Sequence, residues 1–333
     1  MTPPPAAPHP TRVVVLRALG LGDLLAAVPA LRALRGALPD ASVTLLGPRD
    51  VGGLLRDAGL VDAVVAHQGL DPLPEAVHGV DLAVNLHGKG PQSHRLLRAT
   101  HPGRLVGFAD VTTGTVGPVW DDTEHERARW CRLVRETFGV SADPDDARIS
   151  PELPEPLARA AVVVHPGAAA GSRRWPAERW AEVAARMAAH GDVVVTGSPA
   201  ERTLAREVAA GASLPPESVL AGTTDVRDLA ALVASARLVL SSDTGVAHLA
   251  PAFGTPSVTL FGPTSPTTWG PPPGRTHRGL WRGDTVGASY QGDPHGALID
   301  PVLGSIEAAE VVAAAEAALA QGMRPPSVGT PQA

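Results

Sequence analysis

Short apolar runs alternate with longer amphipathic stretches through the first half of the chain. Five of the runs have strand length and are apolar along most of it: Arg12–Arg17, Ser42–Leu46, Ala63–Ala66, Asp81–Leu86 and Arg104–Phe108. The stretches between them, such as Leu24–Leu38, have a helical pattern. Apolar strands that alternate with helices are typical of a parallel sheet covered on both faces. The first half therefore predicts one α/β domain, at residues 12–145.

The alternation stops at a segment rich in proline and acidic residues, and then begins again. The break is Ser141–Pro156, and we place a linker at residues 146–160. Beyond it the pattern predicts further strands at Ala161–His165, Asp192–Thr196, Arg237–Ser241 and Ser257–Leu260. It predicts helices at Pro176–His190, Ala200–Ala210, Arg227–Ser235 and Thr244–Phe253. The second half thus predicts a second domain of the same kind.

The second domain is placed at residues 161–305, followed by an Ala-rich C-terminal helix at 306–320. Residues 1–11 and 321–333 are predicted to be disordered tails. The fold class is α/β, with two doubly wound domains, and ligands of such sheets bind beyond the carboxyl ends of the strands. The length of 333 residues suits two domains. Only 3% of residues are aromatic, so the cores must consist of Leu, Val and Ala.

Charge and targeting signals narrow the function. A net charge of −6 argues against nucleic acid, which needs a broad basic surface, but a small anion needs only a local cluster. The segment Met1–Thr11 lacks the cationic and apolar regions of a secretion signal. No uncharged apolar run approaches the roughly 20 residues that span a bilayer. We therefore expect a cytoplasmic protein without a transmembrane segment. Its sole cysteine, Cys131, is expected to be a buried thiol.

The strongest chemical signal is the segment Ser241–Ala250, which is followed by Gly-Thr-Pro and Phe-Gly-Pro. Asp243 ends a predicted strand, and Thr244 and Gly245 begin a helix whose first amides lack intrahelical partners. Such a helix start binds phosphate, and His248, four residues after Thr244, shares its face. In the alternative interpretation Asp243 only caps the helix and His248 is a packed surface residue.

Two loops after predicted strands add candidates for a phosphate ligand. In His165-Pro166-Gly167 and the following Gly171–Pro176, a small-residue loop carries Ser172, Arg173 and Arg174. Arginine there would neutralise charge that grows on a leaving group, or the loop is a solvated turn. Glu201, after the next strand, would hold ribose hydroxyls or only complement a helix dipole.

The first half offers a weaker set of polar residues. Gly20-Leu21-Gly22-Asp23 lacks the third glycine of a dinucleotide fingerprint and the lysine of a P-loop. Asp23 at this helix start would cap the helix or accept a proton from a sugar hydroxyl. Arg17, His87 and Lys89 are acceptor-side candidates, or generic polar residues of a cleft edge. No group of Cys and His has metal-site spacing. Asp143-Pro144-Asp145 superficially matches a metal-binding acid pair, but it lies in the linker stretch Ser141–Pro156.

Taken together, these segments resemble glycosyltransferase family 9, the ADP-heptose:lipopolysaccharide heptosyltransferase-like proteins, over roughly residues 12–320. Three features carry the resemblance: Leu-Gly-Asp at 21–23, His-Pro-Gly…Arg-Trp-Pro at 165–176, and Ser-Asp-Thr-Gly…His at 242–248. The resemblance implies a GT-B architecture, with two facing Rossmann-like domains, an interdomain cleft and no metal requirement.

The resemblance also implies roles for individual residues. Asp23 would be the general base on the acceptor hydroxyl, and Arg173 falls where the family usually carries Lys beside the diphosphate. Glu201 would contact the ribose and Thr224 the base. The residues expected around the donor sugar and phosphates, together with the neighbouring loop serine, are Ser172, Asp243, Thr244, Gly245 and His248. No cofactor is expected, because the nucleotide sugar is a substrate.

The function implied is inverting, metal-independent transfer of a sugar, heptose from ADP-heptose by the resemblance, to a hydroxyl acceptor. A glycan, a lipid-linked acceptor or a small molecule would serve, and contact with a membrane surface depends on which it is. Two alternatives are a sugar-nucleotide epimerase of the same architecture and a nucleotide-sugar binding protein without catalysis. Asp23 weighs against the second.

Overall fold

The computed structural model describes residues 10–287 and 290–322. The chain divides into two compact units between Glu152 and Leu153, inside the predicted linker segment. Most of the predicted tails, residues 1–9 and 323–333, lies outside the described residues. Thr11, in contrast, is held in place, since its backbone N–H and hydroxyl both donate to Asp81 Oδ2, at 2.8 and 2.9 Å.

Unit 1 contains one parallel sheet and the helices that connect its strands. The strands are β1 Arg12–Leu16, β2 Ser42–Gly47, β3 Ala63–Ala66, β4 Leu82–Asn85 and β5 Arg104–Val106. The helices are α1 Leu21–Ala26, α2 Val28–Ala37, α3 Arg49–Asp57, α4 Gln92–Arg98 and α5 Glu126–Phe138. The strand order is β3-β2-β1-β4-β5, and every pair is parallel. The central strand β1 is buried after its first residue, as its Val-Val-Val-Leu run predicts.

Unit 2 repeats the arrangement. Its strands are β6 Val162–His165, β7 Val193–Val195, β8 Leu238–Ser242, β9 Ser257–Leu260 and β10 His277–Leu280. Its helices are α6 Ala177–Met187, α7 Arg202–Gly211, α8 Val226–Ser235, α9 Gly245–Phe253, α10 Pro266–Trp269, α11 Pro301–Gly304 and α12 Ala308–Gly322. The parallel strand order is β10-β9-β8-β6-β7.

The cores consist of Val, Leu and Ala, with tryptophan at a few positions. In unit 2 the indole rings of Trp175 and Trp180 meet edge to face, with centroids 5.0 Å apart, and both are buried. Trp175 Nε1 donates to the carbonyl of Ile306 at 3.1 Å, so this residue packs the core beneath the candidate loop. Cys131 is buried in α5, and burial raises the pKa of its thiol to about 12.

Several predicted boundaries were wrong for identifiable reasons. The helix predicted at Leu24–Leu38 is two helices, broken at Ala27 just ahead of Pro29, which has no backbone N–H to continue the first. The first of the two helices also begins earlier than predicted, at Leu21, so Asp23 lies inside α1 and Gly20 is its N-cap. Strand β10 was missed, because His-Arg-Gly-Leu has no apolar pattern. The C-terminal helix runs to Gly322, two residues into the predicted tail.

Candidate functional site

In unit 1, Arg17 holds the first turn of α1 through hydrogen bonds to backbone. Its side chain is 1% exposed, and its Nε donates to the carbonyl oxygen of Asp23 at 2.6 Å. Its Nη1 donates to the carbonyl of Leu86, just after the neighbouring strand β4. Its Nη2 lies 3.8 Å from Asp23 Oδ1, which is longer than a close ion pair. Because it is buried and its donors are used inside the protein, Arg17 supports Asp23 instead of taking the acceptor-side position predicted for it.

The environment of Asp23 favours the protonated form of its carboxyl group more than water does. Burial raises the pKa of Asp23 above its ordinary value; the Arg17 charge opposes the rise and the Glu126 charge adds to it. The side chain remains 32% exposed, so a substrate can reach it. A carboxylate whose pKa is raised is a stronger base towards a hydroxyl proton. The group therefore has the access and the basicity that proton abstraction needs.

A second, fully buried layer lies behind Arg17. Glu126 Oε1 accepts from Arg17 Nη2 at 2.9 Å and from Trp130 Nε1 at 2.7 Å, and its Oε2 accepts from Arg129 Nη1. The Arg17 guanidinium also lies over the Trp130 ring, 4.8 Å from its centroid. We call Arg17, Asp23, Glu126, Arg129 and Trp130 the Arg17 cluster. Sequence reasoning missed its α5 members, because charges in an amphipathic helix are expected to face solvent.

The other two acceptor-side candidates differ in burial. His87 Nδ1 accepts from the backbone N–H of Ala18 at 3.2 Å, so the neutral ring carries its proton on Nε2. Burial, together with the charges of Arg17 and His67, lowers the pKa of His87 to about 4. The ring is therefore neutral at pH 7 and presents one N–H donor. Lys89 is 60% exposed, with Nζ 3.9 Å from Asp122 Oδ2, and such a pair fixes little.

In unit 2, one hydrogen bond joins the two segments that the sequence singled out. Arg173, in the turn after β6, donates from Nη1 to the carbonyl of Asp243 at 3.1 Å. Asp243 follows β8 directly, and its own N–H donates to the carbonyl of Leu260 at 3.0 Å. Thr244 is the N-cap of α9, with an extended backbone. The guanidinium therefore lies beside the amino end of a nine-residue helix, where the helix dipole is positive.

Five buried polar atoms around this junction have no hydrogen-bond partner among the described residues. They are Ser172 Oγ, Arg173 Nε, Ser241 Oγ, Ser242 Oγ and Thr244 Oγ1. Buried polar groups normally have partners, and leaving one unpaired costs about 1–3 kcal/mol. The five residues lie at or just beyond the carboxyl ends of β6 and β8, the edge of a parallel sheet where ligands bind, and their hydroxyl and guanidinium donors are suited to an anion rich in acceptor oxygens. We call these five residues the donor-side cluster.

The remaining donor-side candidates lie around this cluster with different contacts. Glu201 Oε2 accepts from the backbone N–H of Ser198 at 2.8 Å, in a capping box, so half of the carboxylate does what the alternative interpretation predicts. A Cβ on Gly167 would collide with Glu201 Oε1, so the loop that contains Gly167 lies against the Glu201 side chain. The His248 and Trp269 rings meet edge to face at 6.0 Å. Thr224 precedes the N-cap of α8, and no described hydrogen bond joins it to the cluster.

A strap formed by residues 290–300 holds the Ser172 turn in place, and sequence reasoning missed it. Ser172 N–H donates to the carbonyl of Gly296 at 2.9 Å, and its carbonyl accepts from Asp300 N–H at 3.1 Å. The Asp300 carboxylate in turn accepts from the hydroxyl of Tyr290 at 2.6 Å. Burial, together with Asp300, raises the pKa of that phenol to about 12. The pairing is long-range, so no local motif signals it.

Replacing Gly171 with Ala is expected to displace this strap, because a Cβ at position 171 would collide with the backbone carbonyl of Ala297. Overpacking against backbone lowers the free energy of unfolding by roughly 1–3 kcal/mol, and urea unfolding would measure it. The matched control is Gly53→Ala in α3, where a Cβ meets nothing within 4 Å. It should stabilise the helix by up to about 1 kcal/mol. Equal stability of the two variants would contradict the packing described.

Comparison with known proteins agrees with the fold and with the motifs. The profile described as glycosyltransferase family 9 (heptosyltransferase) matches residues 118–284, which is half of the chain. The chain therefore belongs to glycosyltransferase family 9. The two parallel Rossmann-like sheets are those of the GT-B architecture that the resemblance implied.

Curated relatives and solved structures are similar over different lengths. Lipopolysaccharide heptosyltransferase 1 of Pseudomonas aeruginosa is 41% identical over 100 residues, which are 28% of this chain and only 26% of the relative. Lipopolysaccharide heptosyltransferase 2 of Escherichia coli K12 is 24% identical over 298 residues, 77% of this chain and 84% of the relative. The structure of E. coli ADP-heptose lps heptosyltransferase II has a TM-score of 0.74 at 20% identity, covering 94% of this chain and 100% of that one. At that identity the likeness shows the fold.

The described part of the chain contains neither a membrane-spanning helix nor a cluster of metal-ligating side chains. Within residues 10–287 and 290–322, no helix is both long and apolar enough to cross a membrane. Within the same ranges, no three His, Cys, Asp or Glu side chains are grouped so that they could hold a metal ion. Asp145, one of the acids near the linker, instead lies 3.3 Å from Arg127 Nη2.

Proposed function

We propose that this protein is an inverting, metal-independent glycosyltransferase that moves heptose from ADP-heptose to a hydroxyl acceptor in the cytoplasm. The family profile that it matches is described as heptosyltransferase, and the E. coli protein with a similar fold is named for ADP-heptose. Both names belong to the relatives. For this chain they supply the hypothesis, and its own residues supply the physical argument.

The observation that carries the proposal is the donor-side cluster. A nucleoside diphosphate offers many acceptor oxygens and two or three negative charges. The cluster offers unpartnered hydroxyls and the Arg173 guanidinium, next to the amino end of α9. Charge-assisted hydrogen bonds from guanidinium to phosphate are among the stronger ones in proteins, and helix N-termini bind phosphate through their unpaired amides. Binding a diphosphate would pair groups that are otherwise buried without partners.

The chemical step follows from the two sets of residues. The acceptor oxygen attacks the anomeric carbon and forms a new C–O bond, while the bond from that carbon to the diphosphate oxygen breaks. The bonding electron pair leaves with the diphosphate, and Asp23 takes the acceptor proton. Direct displacement inverts the configuration at carbon. Arg173 and the α9 amides stabilise the negative charge that develops on the leaving group, which is the task that a metal ion performs in other transferases.

Calorimetric titration with ADP, UDP, GDP and NAD, without and then with Mg²⁺, tests the donor assignment. We expect ADP to bind more tightly than the other three, with an affinity that Mg²⁺ leaves unchanged. A preference for UDP or GDP would keep the class of reaction and overturn the donor. Binding of none of them, or of NAD alone, would overturn the proposal.

The acceptor is then found by activity. Release of ADP from ADP-heptose is measured with a panel of hydroxyl acceptors: simple sugars, soluble oligosaccharides and lipid-linked sugars in detergent. We expect one class to stimulate release and the product to have the inverted anomeric configuration by NMR. A product of altered donor sugar without transfer would support the epimerase alternative instead.

A further inference from the structure

The Arg17 cluster contains a buried carboxylate that takes no part in the chemistry proposed above. Glu126 is 6% exposed and lies 109 positions along the chain from Arg17. Both of its oxygens are engaged, by Arg17 and Trp130 on one side and by Arg129 on the other. Burying such a group costs several kcal/mol even when it is paired. Because this cost is large and Glu126 lies beside the residue that holds Asp23, we looked to Asp23 for the function of Glu126.

Glu126 occupies one of the three guanidinium nitrogens of Arg17, and backbone carbonyls occupy the other two. Arg17 Nε is directed to the Asp23 carbonyl at 2.6 Å, Nη1 to the Leu86 carbonyl and Nη2 to Glu126 at 2.9 Å. The Asp23 carboxylate is left at 3.8 Å from the nearest guanidinium nitrogen. Without Glu126, Nη2 would have only Asp23 to pair with. A close guanidinium pair strongly favours the ionised carboxylate, and a carboxylate stabilised in this way is a poor base.

We propose that Glu126 is a positioning residue for the catalytic base: it holds Arg17 by one nitrogen, so that Arg17 anchors Asp23 through its backbone without pairing closely with its carboxylate. The inference rests on the proposed function, because it assumes that Asp23 is the base. It adds a residue from a distant segment to the machinery of proton transfer. Trp130 and Arg129 fix the Glu126 carboxylate in turn.

The charges around Asp23 agree with this arrangement. Arg17 and Glu126 are the charged groups that shift its pKa, after burial, and they act in opposite directions. His87, just beyond β4, is affected by the charges of Arg17 and of His67, which follows β3, and is neutral at pH 7. The helices α2 and α3 pack against α1, and their charged residues are Arg32, Arg35, Arg49, Asp50, Arg56 and Asp57. Of these, Arg32, Arg35 and Arg56 pair with Asp146, Asp62 and Asp57.

The test is the pH titration of the Asp23 carboxyl group, monitored by ¹³C NMR of protein labelled at aspartate carboxyl carbons. The Asp23→Asn spectrum identifies the signal. Glu126→Gln keeps the shape and an acceptor oxygen but removes the charge, so Arg17 becomes available to Asp23. We expect the Asp23 pKa to fall by roughly half a unit to one unit. The rate of ADP release with the stimulating acceptor should fall about two- to threefold at pH 7, as for a weakened general base.

The matched control is Glu124→Gln, two residues earlier. Glu124 pairs with Arg132 at 2.8 Å, and neither residue contacts Arg17. This variant should leave the Asp23 titration where it is in the parent protein. An Asp23 pKa that is unchanged in folded Glu126→Gln, or that moves equally in both variants, would overturn the inference and leave the proposed function standing. Full transfer activity in Asp23→Asn would instead overturn the role of Asp23, and this inference with it.

A third variant covers the case in which Glu126→Gln does not fold. Trp130→Phe keeps the charge of Glu126 and a ring beneath Arg17, removes the 2.7 Å hydrogen bond that holds Glu126 Oε1, and makes a buried ring smaller. We expect kcat to fall by about the same factor of two to three, because the anchoring of the base is loosened, with the donor KM unchanged, because the donor-side cluster belongs to unit 2. An unchanged kcat in this variant would count against the positioning role.

Discussion

Replacing Asp23 with Asn is expected to lower kcat for sugar transfer by roughly 10²–10⁴-fold, the usual contribution of a positioned general base. Asparagine has the same shape but cannot accept the proton that the acceptor hydroxyl must lose. The hydrogen bond from Arg17 goes to the backbone carbonyl of residue 23, so it survives the change and the turn stays in place. ADP release from ADP-heptose with the stimulating acceptor measures the effect.

Nucleotide binding separates this result from a general loss of structure. The donor-side cluster belongs to unit 2, so calorimetry should give the same ADP affinity for Asp23→Asn as for the parent protein. Asp40→Asn, at an exposed position after α2, is the control for the chemical change and should keep full activity. Undiminished turnover in Asp23→Asn would mean that another group removes the proton, and the mechanism proposed above would be wrong.

The sequence predicted the strands of both sheets better than it predicted the helix ends. Buried parallel strands are short, uninterrupted apolar runs such as Val162–His165, and such runs leave few alternatives. Helix ends depend on local chemistry that periodicity does not carry. The break at Ala27 follows from Pro29, and the amphipathic pattern continues across it. Strand β10 completes its sheet through pairing with β9, and tertiary pairing of this kind leaves no mark in four residues of mixed polarity.

The candidate site was predictable where one segment contains both a strand end and a helix start. Thr244 and Gly245 come after β8 with only Asp243 between, so parallel-sheet geometry alone puts them at the carboxyl edge. Residues that act by supporting others could not be predicted in the same way. Glu126 reaches Arg17 in unit 1, and Asp300 reaches Ser172 in unit 2, each from a segment that lies far along the chain. Their side chains are charged, and charged residues are usually assigned to the surface.

Arg173→Ala is expected to lower kcat/KM for the ADP-sugar by roughly 10²–10³-fold. The guanidinium is half-buried and held against the Asp243 carbonyl at 3.1 Å, so it is fixed in place before any ligand arrives. Removing one preorganised donor to a developing negative charge typically costs about 3–4 kcal/mol of transition-state stabilisation. ADP affinity should fall less than kcat/KM, because the charge on the diphosphate is greatest as the bond to the sugar breaks.

Two further variants separate the effect of the Arg173 charge from that of its geometry and from a change in net charge. Arg173→Lys keeps the charge but not the forked geometry, so it should recover much of the activity if charge dominates and little if the bond to the Asp243 carbonyl matters more. Arg186→Ala removes an exposed arginine from the last turn of α6 and should change nothing, which controls for net charge. Equal activity of Arg173→Ala and Arg186→Ala would mean that Arg173, the one cation of the donor-side cluster, does not stabilise the leaving group. The diphosphate assignment would then rest on the α9 amides alone.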